Sequence, residues 1–189
     1  GVSGQPRYQD VSWKVNLPTS KLGTFNFWGI GGISSISLLD SDKKSGDWAF
    51  TNVGTDLIYG SQMGATGASN THYFNQKTFG KISLSATTAS FSATVDTLSI
   101  DKAKFRTFSS NSTDNQYHIQ YLLNSKINSR NLIRLTSTFT SLNLKYKIGQ
   151  YDHDYGIFID LLNQDSNTGL LQSSVSWQFK INDQLILNS

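Results

Sequence analysis

The sequence predicts an all-β chain, an antiparallel up-and-down sheet of the transmembrane β-barrel kind, and three observations carry that expectation. Segments of apolar/polar alternation run for about 11 to 18 residues. Globular strands usually run about 5 to 6, and a tilted membrane-crossing strand needs about 9 to 11. Short polar turns alternate with long connections, the pattern of barrels with short periplasmic turns and longer outer loops. The residues opposite the apolar stripes are Ser, Thr, Asn, Gln and Gly, where a soluble surface carries Lys and Glu; only 15% of the chain is charged, against about 25% in ordinary domains.

The first element is "VSWKVNLPTSKLGTFNFWGIGG", residues 11–32. Trp13, Val15 and Leu17 alternate with Ser12, Lys14 and Asn16, the chain turns at 18–23, and a second alternating segment follows. On that second strand Phe25 and Phe27 oppose Trp28 and Ile30, and the Phe pair is assigned outward. Further turns are expected at 75–79 ("NQKTF"), 128–131 ("NSRN") and 182–183 ("ND"), about 53 to 57 residues apart. Long connections are expected near 39–54, 96–115 and 149–169.

Later strands are cleanly two-faced. Tyr117, Ile119, Tyr121 and Leu123 alternate with His118, Gln120 and Asn124; Val175, Trp177 and Phe179 alternate with Ser174, Ser176 and Gln178. With Trp13, Val15 and Leu17, these apolar residues are expected to face lipid, aromatic rings near strand ends forming an interfacial girdle. Two strands change phase: Ile82, Leu84 and Ala86 give way to Ala89, Phe91, Ala93 and Val95, and Ile133, Leu135 and Phe139 to Leu142, Leu144, Tyr146 and Ile148. Bulges near 87–88 and 140–141 would account for that, because one inserted residue reverses the facing of all that follow.

Seven strands and the start of an eighth are expected. In lipid the sheet must close, because open edges leave backbone N–H and C=O groups unpaired. Eleven hairpins at this spacing need roughly 590 residues, the scale of a 22-stranded barrel, so the chain reads as about a third of one. A small stand-alone outer-membrane barrel and a soluble β-sandwich or lipocalin-like binding protein are the alternatives.

Several stretches resemble the barrels of TonB-dependent outer-membrane receptors of the Bacteroidetes type. "GVSGQPRYQDVSWKVNLPTSKLGTFNFWGIGGIS" is similar to their early strands, where an "NLPT-K-GTF" turn leads into a "WG-GG" strand. "GATGASNTHYF", "TFGKISLSAT", "YLLNSKINSRNLIRLT" and "WQFKINDQLILNS" look similar to later ones. The resemblance implies residence in the bacterial outer membrane and uptake of a bulky nutrient (a glycan, peptide or metal chelate), with outer-membrane lipid, TonB and a plug domain as partners. It also allows a surface lipoprotein as a lid. The sequence shows no plug, TonB-contacting segment, closing strand or signal peptide, and so reads as part of such a barrel.

No enzyme chemistry is expected. No nucleophile elbow of the GxSxG type appears, Gly29, Gly31 and Gly32 do not form a phosphate cradle, and no carboxylate pair sits on a buried strand face. No cofactor is expected. The net charge of +3 is small and scattered, which argues against nucleic acid as a partner. With no cysteine, thiolate metal sites are excluded; Asp152, His153 and Asp154 are weak metal candidates whose expected role is a solvated loop tip. If the long connections bind a solute, Trp48, Phe50, Phe105, Phe108, Tyr151 and Tyr155 are the candidates.

Overall fold

A computed structural model describes residues 4–42, 54–182 and 184–188. The chain forms one eight-stranded antiparallel sheet in simple sequence order: β1 Arg7–Thr19, β2 Gly23–Leu39, β3 Thr55–Asn75, β4 Thr78–Leu98, β5 Lys104–Lys126, β6 Asn131–Asp152, β7 Ile157–Lys180 and β8 Ile186–Asn188. Strands take up 83% of the described residues, and no helix among them covers either face. Among the described residues β1 and β8 do not pair with one another, so the sheet is open.

At one end, here the lower, neighbouring strands join through tight turns at 20–22, 76–77 and 127–130. The first uses Gly23 at φ +83°, a conformation that glycine alone adopts without strain. A side chain there would also strike the Thr71 carbonyl. At the upper end two of the three expected long connections are mostly strand. Residues 96–98 and 104–115 belong to β4 and β5, leaving 99–103 as the link; 149–152 and 157–169 belong to β6 and β7, leaving 153–156. Their Ser, Asn, Thr and Asp content resembles loop sequence, but in register these residues pair backbone to backbone along the ladder.

Register assigns every residue to a face, since directly opposed residues share one. Trp13, Val15 and Leu17 oppose Gly29, Phe27 and Phe25. The same face continues through Ala68 and Thr66, Leu84 and Ala86, Ile119 and Tyr117, then Phe139, Leu135 and Ile133, and ends on Leu171, Val175, Trp177 and Phe179. We call this the Trp13 face and its opposite the Lys14 face. Trp28 and Ile30 lie on the latter.

The bulges expected near 87–88 and 140–141 are absent. Register runs unbroken through both sites, and the shifts occur at Tyr73/Asn75, Val95/Asp96 and Ile148/Gly149. The change of phase is therefore real: the apolar residues change faces part-way up the sheet. The exchange falls on the cross-strand row Gly31, Gly64, Thr88, Asn115, Asn143 and Asn167. Below it the Trp13 face is apolar. Above it that face turns polar, and in β4 and β6 the Lys14 face takes over with Phe91, Val95, Leu142, Leu144 and Ile148.

A sheet this wide has no core of its own. Among the described residues the only buried hydrophobic one is Ala93, and the accessible surface is 13280 Å², against about 9,000 Å² for a compact monomer of 21.0 kDa. A single layer does not bury its apolar face, which must meet something else.

Candidate functional site

The lower Trp13 face is one continuous apolar surface across β1–β7. Trp13, Val15, Leu17, Ile119, Tyr117, Val175 and Trp177 are each 43–68% exposed, although they share one continuous patch. Along β5 the apolar stretch runs from Tyr117 to Leu123, and along β7 from Leu171 to Phe179. At about 3.3 Å per residue and a tilt near 45°, nine residues cover roughly 21 Å, close to the about 25 Å apolar band of outer-membrane barrels. No Lys, Arg or Asp lies on this face below the exchange row.

Aromatic rings frame the patch. Trp13 and Tyr117 share its top row, while Trp177 and Phe179 stack at its foot with ring centroids 5.7 Å apart. The Trp177 indole donates to Asn131 Oδ1 at 2.9 Å, so its polar edge is satisfied where it meets the turn end. Between Trp13 and Tyr117 the small residues Gly29, Gly31 and Gly64 leave a notch of about 400 Å³ in the belt. The ten residues singled out as lipid-facing all fall on this one face, and Phe25 and Phe27 share it, with centroids 6.5 Å apart.

The upper half carries a different construction, outside the apolar band. Asp56 is 1% exposed. It accepts the Ser41 N–H at 2.9 Å and the Ser41 hydroxyl at 2.7 Å, and Lys104 Nζ lies 2.8 Å from its Oδ2. Burial pushes the Asp56 carboxyl up, but the bonds from Lys104 and Ser41 outweigh it and hold the group below its usual value; the bond to Asp56 raises Lys104 in turn. Directly across the ladder, Asp96 pairs with Arg106. Two carboxylates thus sit side by side, each with its own cation. Asp40 accepts the Gly54 N–H at 2.8 Å and Lys102 donates to the Ser41 carbonyl at 3.3 Å, so this end of the β2–β3 connection is also tied to the β4–β5 link.

Of the solute candidates, Trp48 and Phe50 lie outside the described residues. Phe105 and Tyr151 meet edge-to-face at 4.3 Å, and Tyr151 meets His153 at 5.1 Å, forming one small aromatic cluster beside the β6–β7 turn. Tyr155 stands apart, 79% exposed, and Phe108 is half-buried in β5 opposite Val95. They do not converge on one site. In the metal candidates, Asp152 Oδ1 accepts the N–H groups of Asp154 and Tyr155 at 2.9 and 3.2 Å, an Asx-type turn that spends the carboxylate on backbone. Among the described residues no three His, Cys, Asp or Glu side chains converge as metal ligands. A depression of about 960 Å³ lies open on the upper Trp13 face, floored by Gln9, Gln62, Ser90, Asn111 and Thr113.

Sequence reasoning missed the Asp56 cluster, because burial of one aspartate leaves no mark in the pattern; the spacing of Asp96 to Arg106 around a short link was the available signal. It also missed the indole of Trp28 lying over Gly67, where a Cβ would come within 2.8 Å of three ring atoms. No helix among the described residues is long and apolar enough to cross a membrane, which says nothing of strands. No family model, curated protein or solved structure matches the chain.

Proposed function

We propose that this chain is a wall section of an outer-membrane β-barrel, with the lower half of the sheet in the bilayer and the upper half standing outside it. The supporting observation is the exchange row: an apolar band of membrane height on one face, free of charge, with a polar face behind it and polar surface above it. A soluble sandwich needs a second layer over the Trp13 face, and the described residues supply none. The turns at 20–22, 76–77 and 127–130 then face the periplasm. The open edges of β1 and β7 are closed by further strands, as hydrocarbon requires.

Within that frame the resemblance in "NLPTSKLGTFNFWGIGG" and its companions supports a TonB-dependent transporter that takes up a bulky nutrient. The chain's part is structural: a rigid wall against which a plug seats and solute moves, with energy from TonB and no catalytic step of its own.

Single-tryptophan variants in vesicles of brominated phospholipid test the orientation. Bromine quenches an indole that touches the acyl chains. Strong quenching of Trp13 and Trp177 is expected, with Trp28 on the opposite face left bright. Quenching of Trp28 equal to that of Trp13 rules the assignment out.

A further inference from the structure

The charges of this chain are sorted along the strands. Among the described residues the lower half holds eight Lys and Arg and no Asp; the upper half holds six Lys and Arg against eleven Asp. Five of the eight lower cations lie on strands, and all five (Lys14, Lys81, Lys126, Arg134 and Lys180) are on the Lys14 face. Lys14, Lys81, Lys126 and Arg134 form no ion pair among the described residues. Unpaired cations collected on one wall create a positive potential that draws anions. Since they point away from the apolar belt, lipid headgroups do not reach them.

One row in this field also offers a ring platform. Lys14, Trp28, Gly67, Ser85 and His118 are successive cross-strand neighbours. Trp28 lies flat across Gly67. Shielding an in-strand glycine is reason enough for that contact, but the ring remains 36% exposed, so its outer π-face is open to the space in front of the sheet. A planar molecule stacked there has the Lys14 ammonium on one side, at the distance of a directly opposed pair, and the Ser85 hydroxyl and His118 imidazole on the other. His118 Nδ1 is engaged by the Thr140 hydroxyl at 2.9 Å, which fixes the ring.

We propose that the lower Lys14 face is a binding surface for planar organic anions, stacked on Trp28 and held by Lys14, within a strip of positive potential extended by Lys81 and Arg134. This rests on the reading of the Trp13 face as lipid-facing, which keeps the Lys14 face in water. Stacking supplies the shape requirement and the cations supply the sign, so neutral rings and small round anions are both poor occupants.

Pyrene tetrasulfonate, a planar polyanion, is the probe, titrated against the full chain in neutral detergent micelles, with inorganic sulfate and a planar cationic dye as comparisons. Saturable binding of the sulfonate is expected. It weakens about tenfold or more in Trp28→Leu and in Lys14→Gln, and the Lys14→Gln, Lys81→Gln, Arg134→Gln triple variant loses most of it. Equal binding by Trp28→Leu, or equal competition by sulfate at matched charge, overturns the stacked site, as does preference for the cationic dye. Association of the same variants with phospholipid vesicles is measured in parallel. Loss of vesicle association in the parent chain counts against the membrane reading alone, and loss of probe binding with vesicle association intact counts against this inference alone.

Discussion

Lys104 reaches back across β4 to Asp56, its Nζ 2.8 Å from a carboxylate that is itself almost wholly buried. The pair ties β5 to the start of β3, and through Ser41 to the end of β2. Because the folded Asp56 carboxyl titrates below its ordinary value of 3.8, its contribution is complete above that value and fades as pH falls through the lower folded one. Lys104 is raised above 10.5, so its contribution is complete below 10.5 and is lost as pH rises through the folded value. Protection of the Ser41 amide against hydrogen exchange is therefore expected to stay level through neutral pH and fall at both extremes. Asp56→Ala lowers it by about 1–2 kcal/mol; Lys104→Met lowers it less, since that side chain is half exposed.

The indole of Trp13 occupies the space above Gly29, where any Cβ would collide with it. Gly29→Val is expected to cost about 1–3 kcal/mol in a denaturant titration of the micelle-bound chain. In a Trp13→Ala background the same substitution costs much less, and the double-mutant cycle shows a coupling of the two. Strict additivity means that the ring does not rest there.

Ile119 and Asn111 lie on the same face of β5, eight residues apart, on either side of the exchange row. Arginine at 119 falls within the apolar band and is expected to cost about 2–4 kcal/mol of stability in vesicles, and arginine at 111 at most about 1. Equal costs at the two positions count against the proposed bilayer placement.

The Asp152 carboxylate caps the turn into β7 by accepting two backbone N–H groups. Asp152→Ala is expected to speed hydrogen exchange at Asp154 and Tyr155 by an amount worth about 1 kcal/mol. Added calcium leaves these amides of the parent chain unchanged. Protection by calcium instead makes the loop a cation site.

Strand order, the tight turns and the sorting of Trp13, Val15, Leu17 and their partners onto one face were legible, because period-two alternation survives in sequence wherever one face is uniformly apolar. Two features were not. The polar stretches 104–115 and 157–169 read as loops, since Ser, Asn and Asp favour turns locally, yet ladder pairing with β4 and β6 keeps them extended. The change of phase at Ala86/Ala89 and Phe139/Leu142 was visible, but a bulge and a true exchange of faces leave the same trace in one strand. Only the unbroken register across neighbouring strands separates them. The depth of Asp56 and the ring of Trp28 over Gly67 depend on residues about 40 to 50 positions away along the chain, beyond the reach of any local pattern.

β8 covers only residues 178–180 of β7, so from Ile157 to Trp177 that strand's outer row of N–H and C=O groups has no strand partner among the described residues. Such a seam accepts any extended backbone: a proper neighbour, a stray chain, or a second copy of itself. It also sets an order of events. If the Trp13 face meets lipid as proposed, hydrocarbon does not solvate a bare ladder, so the seam is stitched while still in water, before the tryptophan belt enters the bilayer. On that proposal, any factor that escorts the chain guards a line of backbone first and a patch of side chains second.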